Sequence, residues 1–190
     1  MSKAVLYMSM SLDGYTAGPN DEPDNPGGDG FDRLHEWFGD FSRPSGPVGE
    51  LFDEMHDYGA IIVGRRTAEQ IDHWGGDRHG VRIFVPSHRP PGPSVASYPM
   101  VTYVGDGITS AMAQAKAAAG DRYVLVQGAY TAQRALEAGV LDELQIHQIP
   151  VLFGDGLRQF EVLPSSVELE IARVIDTPEA THIRYRVRHE

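Results

Sequence analysis

Gly59-Ala-Ile-Ile-Val-Gly-Arg-Arg-Thr-Ala-Glu-Gln70 (GAIIVGRRTAEQ) is the most informative segment of this 190-residue sequence. Its first half is a short apolar run rich in β-branched residues, which is typical of a strand buried on both faces. The run ends at Gly64, and Arg65, Arg66 and Thr67 follow where a helix is expected to begin. The segment therefore predicts a strand, a glycine corner and a helix start that carries two cations and a hydroxyl group.

Elsewhere in the chain, short apolar segments alternate with helical patterns, an order typical of α/β proteins with a largely parallel sheet. The predicted strands cover residues 4–10, 60–63, 81–85, 100–104, 122–126, 143–150, 167–175 and 181–187. The predicted helices cover residues 31–38, 48–55, 108–115 and 132–136, with a short helix after Gly64. In the last two strands apolar residues alternate with glutamates and then with arginines, which favours an antiparallel hairpin. We expect an α/β fold with a mixed, mostly parallel central sheet of about eight strands, flanked by helices and ending in this C-terminal hairpin.

Residues 1–190 are expected to form a single domain with an insertion at residues 18–47. The segment 18–30 is dense in Gly, Pro, Asn and Asp, so it is either a disordered surface loop or a lid over a ligand. Trp37, Phe38 and Phe41 follow, and large aromatic side chains seek burial.

The composition limits the classes of function. Hydrophobic residues make up 41% of the chain and charged residues 23%, as in folded globular proteins. A net charge of −11 opposes a broad contact with nucleic acid, and no apolar run is long enough for a membrane span. The chain has no cysteine, and its eight histidines show no metal-ligand spacing. We expect a small-molecule ligand, no metal, no nucleic-acid or membrane partner, and, without an export signal, a cytoplasmic location.

Two further strand ends resemble the first glycine corner. Gln127, Gly128, Ala129, Tyr130 and Thr131 form a second strand, glycine and helix start, and Ser87, His88 and Arg89 follow a third strand. Parallel strand ends meet at one edge of a sheet, where glycine lets a ligand approach and helix starts and arginines favour phosphate. The alternative for each corner is an ordinary helix cap with solvated side chains. The Rossmann fingerprint and the P-loop are absent.

Four segments carry a resemblance to a known family. They are residues 10–15 (MSLDGY), 62–67 (IVGRRT), 127–130 (QGAY) leading to Leu136, and 142–154 (DELQIHQIPVLFG). With these segments in this order, the chain resembles the dihydrofolate reductase-like family. The resemblance is to one branch of that family, which includes the C-terminal reductase domain of bacterial deaminase-reductase proteins that act in riboflavin biosynthesis.

The resemblance implies NADPH as hydride donor, a pteridine- or pyrimidine-type heterocycle or its ribosyl derivative as substrate, and a homodimer. By position it implies that two loops hold the cofactor's phosphates, Gly64 to Thr67 and Gln127 to Thr131. Ser87, His88 and Arg89 match the strand end near the 2′-phosphate. Asp13 and Gly14 match the loop over the nicotinamide and substrate.

The sequence departs from the family pattern at two positions. Gln127 stands where the family usually has a glycine, and Leu34 stands where dihydrofolate reductases carry an acid three residues before a tryptophan. Asp32 is close to that slot but out of register. Folate is therefore not the expected substrate.

The predicted substrate side leaves alternatives open. Asp13 is a candidate catalytic residue that delivers a proton or fixes a polar substrate edge, or else it forms a turn. Asp32, His35 and Trp37 line the substrate pocket, or else Trp37 belongs to the core. His73 and His79 are expected in a solvated loop.

Three hypotheses of function follow. The leading one is an NADPH-dependent reductase. The second is a non-catalytic protein on the same fold that binds a nucleotide or a flavin-like ligand, and the third is an unrelated α/β domain whose glycine corners are helix caps.

Overall fold

The computed structural model describes residues 2–39, 43–161 and 163–188. The strands are β1 (Ala4–Ser11), β2 (Tyr15–Ala17), β3 (Tyr58–Val63), β4 (Arg82–Pro86), β5 (Val101–Val104), β6 (Tyr123–Gln127), β7 (Glu143–Ile149), β8 (Leu157–Arg158), β9 (Leu169–Asp176) and β10 (Thr181–Val187). The α-helices are α1 (Gly46–His56), α2 (Arg65–Gln70), α3 (Ile108–Ala119) and α4 (Ala129–Glu137). Short 3₁₀ helices cover Phe31–Leu34, Glu36–Phe38, Asp72–Gly76 and Pro93–Ser97.

The predicted fold class is confirmed, since eight of the strands form a mixed, mostly parallel sheet with flanking helices. The antiparallel hairpin of β9 and β10 at the C-terminus is also confirmed. Strands β2 and β8 pair in a separate two-stranded sheet that the sequence did not predict. They are only three and two residues long, too short to show a periodic pattern.

The described chain divides into two units, and the first comprises Met1–Leu6 and Asp57–Asp142. Its central strand is β3, which lies between β4 and β6 in parallel register and is buried at every residue. A strand that is buried on both faces needs an apolar run without polar alternation, as the sequence predicted. Three apolar residues of the predicted helix at residues 108–115, Ala111, Met112 and Ala115, are buried in α3, whereas Ile108 is half-buried. Ala119, beyond the predicted range, is also buried.

The second unit comprises Tyr7–His56 and Glu143–Glu190. Here β10 pairs antiparallel with both β7 and β9. The predicted helix at residues 31–38 is instead two 3₁₀ helices that meet at His35. Glycines with positive φ lie directly before and after this segment, 78° at Gly30 and 62° at Gly39, so the chain leaves the helical conformation at both ends.

The predicted cross-strand charge pairing holds for part of the hairpin. Arg186 lies opposite Glu170 and forms an ion pair with it at 3.3 Å. Arg184 instead lies opposite Arg173, and both guanidinium groups bind the carboxylate of Glu54 in α1. A shared anion on a neighbouring helix therefore offsets the repulsion between these two cations.

The described part of the predicted insertion at residues 18–47 carries many internal hydrogen bonds. The Gly18 N–H donates to the Gly27 carbonyl at 2.9 Å, and the Asp29 N–H donates to the Pro19 carbonyl at 2.8 Å. The side-chain amides of Asn20 and Asn25 donate to the Asp29 carboxylate. The segment is a folded loop, and its role as a lid stays a prediction, as does the single domain. Phe41, which was expected to be buried, lies outside the described residues.

Candidate functional site

The first two glycine corners lie side by side at the ends of β3 and β6. Val63 is opposite Gln127 in the parallel ladder, and the Gly64 N–H donates to the Gln127 carbonyl at 3.4 Å. Gly128 then takes a φ of 93°, which glycine adopts without strain, and α4 begins at the next residue. The predicted meeting of these two corners at one sheet edge is therefore found in the structure.

The close packing of the corners depends on the two glycines. A Cβ on Gly64 would lie 2.7 Å from Oγ1 of Thr131, and a Cβ on Gly128 would lie 3.5 Å from Oγ1 of Thr67. Both threonine hydroxyls thus lie close to the corners, and Thr131 is buried there. The N-cap residue of α4 is Gly128, which has no side chain to accept a hydrogen bond from the N–H groups of the first turn.

Arg65 joins the third strand end to the first corner. Its Nη1 donates to Oγ of Ser87 at 3.3 Å and to the carbonyl oxygens of Arg89 at 3.0 Å and Pro90 at 2.9 Å. Its Nε lies 2.7 Å from a carboxylate oxygen of Glu69, an ion pair without the alignment of a hydrogen bond. The sequence predicted Arg65 as a phosphate ligand and gave no sign of these internal bonds, because they depend on how the loop after β4 folds back.

The remaining predicted cofactor residues lie around the same edge. Arg66, His88 and Arg89 are exposed, and Ser87 is half-buried. Tyr130, in the first turn of α4, is 71% exposed, and the Arg134 guanidinium lies 5.2 Å from its ring centre. The structure thus gathers cations, hydroxyls, helix-start N–H groups and glycine backbone at three neighbouring strand ends. Such a set of donors can bind a chain of phosphate groups.

Gln127 stands where the family usually has a glycine, and it does not distort the corner. Among the described residues other than glycine, positive φ values occur at Asn20, Asp72, His73, Trp74 and His79, and not at Gln127. Gln127 is the last residue of β6 and uses its backbone carbonyl to hold the Gly64 corner. A side chain is tolerated here because the backbone is an ordinary strand conformation.

Asp13, in the second unit, fixes the turn after β1. One carboxylate oxygen accepts from the Ser11 hydroxyl at 2.6 Å and from the Phe153 N–H at 3.1 Å, and the other accepts from the Gly154 N–H at 2.8 Å. The Ser11 hydrogen bond, with the two backbone N–H groups, lowers the pKa of Asp13 to about 2. A carboxyl group that is ionised at neutral pH has no proton to give. These contacts favour the turn-forming role of Asp13 over proton delivery.

Arg158, the last residue of β8, contacts this turn and was not predicted as a site residue. It donates from Nη1 to the Asp13 carbonyl and from Nη2 to the Tyr15 hydroxyl, each at 2.9 Å, and lies 4.4 Å above the Tyr15 ring. Gly14 completes the turn with a φ of 88°. Arg158 lies far from Asp13 in sequence and follows no motif, so its place here could not be predicted.

Trp37 lies in the core of the second unit. It is 6% exposed and packs in a cluster with Leu34, Ile149 and Ala180. Its indole N–H donates to Oγ of Ser9 at 3.0 Å. The indole ring and its N–H therefore both contact the protein itself. These contacts favour a core role for Trp37 over stacking on a substrate.

The other predicted substrate residues are more accessible. Asp32 is exposed, whereas His35 is partly buried, with its ring 4.5 Å from the Phe31 ring and Nδ1 3.1 Å from the Phe31 carbonyl. Burial lowers the pKa of His35, so the ring is neutral at neutral pH. Leu34 is fully buried, so the slot for the acid of dihydrofolate reductases is filled by an apolar core residue.

A buried histidine pair lies beside Trp37 and was missed by the sequence analysis. His147 and His182 are each 1% exposed, directly opposite each other on β7 and β10, with their Nδ1 atoms 2.8 Å apart. One Nδ1 must donate and the other accept. Burial lowers the pKa of His147 well below its usual range and that of His182 to about 4. The antiparallel pairing of β7 and β10 brings the two rings together. The sequence of one strand alone does not reveal this pairing.

The prediction of a solvated loop is wrong for His73. This residue is 2% exposed, and its Nε2 lies 2.9 Å from the Tyr103 hydroxyl. His79 is exposed, as expected, and its Nδ1 lies 2.9 Å from the Tyr58 hydroxyl. The flanking glycines indicated a loop, but they did not show that the loop turns His73 inward.

Within residues 2–39, 43–161 and 163–188, no group of three or more acidic or histidine side chains is arranged to hold a metal ion. No helix in the described part of the chain combines the length and apolar character that a membrane crossing requires.

The fold is shared with several solved structures. A putative riboflavin biosynthesis protein from Shewanella sp. PV-4 aligns over 100% of both chains at 22% identity, with a TM-score of 0.73. A pyrimidine reductase-like protein from Corynebacterium diphtheriae aligns over 100% of this chain and 93% of its own at 12% identity, with a TM-score of 0.65. Dihydrofolate reductase from Enterococcus faecalis, solved with NADP(H), aligns over 98% of this chain and 97% of its own at 14% identity, with a TM-score of 0.62. The fold is thus dihydrofolate reductase-like.

Residues 3–183 match the model of the RibD C-terminal domain family, and the chain belongs to this family. The resemblance inferred from the four sequence segments is confirmed, and with it the assignment to a family of reductases. No curated protein sequence matches the chain significantly.

Proposed function

We propose that this protein is an NADPH-dependent reductase that passes a hydride to a C=N or C=O carbon of a small nitrogen heterocycle. The substrate class is a pteridine or pyrimidine, free or ribosylated. The observation that carries the proposal is the meeting of three parallel strand ends, two with glycine corners and one fastened by Arg65. Membership of the RibD C-terminal domain family supports it.

The residues at this edge fit the phosphates of a dinucleotide. Arg66 and Arg89 are exposed at this edge, so their guanidinium groups could contact an anion there, although the chain has a net charge of −11. Gly64, Arg66 and Thr67 would hold the pyrophosphate from one side, and Gly128, Ala129, Tyr130 and Thr131, with the backbone of Gln127, from the other. Arg65, Ser87, His88 and Arg89 would hold the 2′-phosphate that distinguishes NADPH from NADH.

When bound, NADPH supplies the hydride, and the protein's task is to orient it and exclude water. Asp13 stays ionised at neutral pH and holds the turn at Gly14, so the proton taken up by the nitrogen of C=N, or by the oxygen of C=O, comes from water. Gly14, Asp32 and His35 remain the proposed substrate contacts. Trp37 supports this region from the core.

The second candidate is a non-catalytic protein that binds a nucleotide or a flavin-like ligand at the same edge. Two observations favour it: Leu34 is buried in the acid slot, and the Asp13 carboxylate is committed to structural hydrogen bonds. Under this alternative the protein binds NADPH without oxidising it.

We also propose that the protein is a homodimer that pairs through β9 and β10. Leu169, Ile171 and Val174 of the edge strand β9 are 40%, 63% and 52% exposed. Because of a bulge between Ile171 and Arg173, each of these three side chains lies opposite an apolar residue of β10. The opposite residues are Val187, Tyr185 and Ile183, respectively. An exposed apolar face on an edge strand is a favourable surface for a second copy. The cytoplasmic location stays a prediction.

Sedimentation velocity tests the dimer. Ile171→Lys should give a monomer. Glu170→Gln, on the other face of the same strand, places no cation against Arg186 and should leave the dimer intact. A wild-type monomer at all concentrations would contradict this part of the proposal.

The reductase function is tested by mixing the protein with NADPH and a panel of pteridines and pyrimidines and following the loss of NADPH absorbance. Turnover with any member supports the reductase, and binding without turnover across the panel supports the non-catalytic alternative. Arg66→Ala should weaken NADPH binding by about 1.5–3 kcal/mol, the value for a hydrogen bond to a charged group. Arg82→Ala is the matched control, since Arg82 is also exposed but lies at the opposite end of β4. Equal affinities in both variants would remove Arg66 from the site.

A further inference from the structure

The segment Asp72–Gly76, just after α2, has an unusual backbone. Its five consecutive residues have φ values of 45°, 52°, 54°, 68° and 83°. Three of these residues, Asp72, His73 and Trp74, carry a Cβ, and the left-handed region is unfavourable for them, most of all for the bulky Trp74. Such a turn persists where the surrounding structure imposes it.

Tyr98 holds both ends of this left-handed turn. Its hydroxyl donates to a carboxylate oxygen of Asp72 at 2.7 Å. Its ring packs against Gly76, where a Cβ would lie 2.3 Å from a ring carbon. The N–H of Trp74 donates to the Ile71 carbonyl at 3.0 Å and ties the turn to the end of α2. These contacts fix the strained conformation.

The turn directs His73 into the first unit. His73 is 2% exposed, and its Nε2 lies 2.9 Å from the hydroxyl of Tyr103 on β5, with the two ring centres 5.9 Å apart. A histidine in an ordinary solvated loop would make no such contact. The strained backbone therefore places His73 where it forms a hydrogen bond with Tyr103, and this bond fixes the Tyr103 ring.

Tyr103 in turn lies under Arg65. The Arg65 guanidinium is 5.6 Å from the centre of the Tyr103 ring, within the range of a cation–π contact. Arg65 then binds Ser87, Arg89 and Pro90 of the loop after β4. A continuous series of contacts thus runs from the left-handed turn to the third strand end.

We infer that His73 is a positioning residue for cofactor specificity: through Tyr103 and Arg65 it holds the Ser87–Pro90 loop in the conformation that receives the 2′-phosphate of NADPH. The inference rests on the proposed function, which places this phosphate at the third strand end. It adds the left-handed turn, His73 and Tyr103, none of which carries a recognisable ligand-binding motif.

The test uses adenosine 2′,5′-bisphosphate and adenosine 5′-monophosphate, which differ by the 2′-phosphate, with binding measured by calorimetry. Tyr103→Phe removes the hydroxyl and keeps the ring under Arg65. His73→Asn removes the contact with Tyr103 and keeps a residue that tolerates positive φ. Each variant should weaken bisphosphate binding about fivefold, the effect of one hydrogen bond, and leave monophosphate binding unchanged.

His79→Asn is the matched control, because it removes another tyrosine–histidine hydrogen bond of the same unit, at a residue with a positive φ like that of His73, and leaves the contact between Tyr103 and Arg65 in place. It should change neither affinity. Hydrogen exchange supplies a readout without ligand: the Ser87 and Arg89 amides, which donate to the Val104 carbonyl and to Oγ of Ser87, should exchange faster in Tyr103→Phe.

The outcomes separate the inference from the proposed function. If the wild-type protein prefers the bisphosphate and both variants keep that preference, the role of His73 is overturned and the cofactor site stands. If the wild-type protein does not distinguish the two nucleotides, the 2′-phosphate site itself is overturned, and the inference with it.

Discussion

The glycine corners of the first unit and the residues around Trp37 in the second were both predicted as ligand sites, but they differ in exposure and in internal hydrogen bonding. At the corners, Arg66 and Arg89 are exposed and glycine backbone lies at the strand ends. In the second unit, Trp37 is buried and the carboxylate of Asp13 accepts hydrogen bonds from the Ser11 hydroxyl and the Gly154 N–H. Chemically suitable residue types are therefore not enough to define a site. The burial and hydrogen bonding of each side chain in the folded protein decide between a ligand site and a structural role.

The two tryptophans of the chain provide the largest expected contrast between these regions. Trp37→Ala should reduce the free energy of unfolding by about 3–5 kcal/mol, because it leaves a cavity between Leu34 and Ile149. Trp74→Ala should cost about 1 kcal/mol, since Trp74 is half-buried and mainly stacks under Arg78. Urea unfolding of both variants measures the difference. Similar losses for the two would show that Trp37 is not a core residue.

The buried histidine pair should make the protein sensitive to acid. Burial lowers the pKa of His182 from 6.5 to about 4, so between these pH values the unfolded state binds more protons than the folded state. Stability should therefore fall as the pH decreases from 6.5 to 4, by roughly 3 kcal/mol, and this contribution should level off below pH 4.

Urea midpoints measured across this pH range, for the wild type and for a His147→Leu, His182→Leu double variant, isolate the effect. The double variant should lose most of the slope between pH 6.5 and 4. Asp13 titrates near pH 2, outside this window, and should leave the comparison unaffected. An unchanged slope in the double variant would mean that the pair is not neutral in the folded protein.

A smaller effect is expected at the glycine corners. Gly64→Ala brings a Cβ within 2.7 Å of Thr131 Oγ1 and should destabilise the protein by about 1–3 kcal/mol through overpacking. Thr131→Ala removes that oxygen, so the same glycine substitution should cost less in the Thr131→Ala background. A double-mutant cycle by thermal unfolding measures the coupling. Additive losses would show that the two corners do not pack as described.

Much of the fold could be predicted from local pattern. The buried run of β3, the alanine-rich stripe of α3 and the alternation in the C-terminal hairpin each reflect one element's own periodicity. The glycine corners followed from the same reasoning, because a strand, a glycine and a helix start are adjacent in sequence.

The rest depended on contacts between distant segments. The Arg65 bonds to Ser87 and Pro90 form only when the loop after β4 folds back toward α2. The facing of His147 and His182 requires the register of two strands, and the inward turn of His73 requires Tyr98 to hold an unfavourable backbone. No local pattern in the sequence encodes these arrangements.

The central claim is that the strand-end arginines hold the phosphates of NADPH. Calorimetric titration of the protein with NADPH and with NADH tests it most directly, since the two differ by the 2′-phosphate alone. The account predicts tighter binding of NADPH, by a margin that shrinks in Arg65→Ala and in Arg89→Ala. Equal affinities for the two cofactors, or no binding of either, would contradict it.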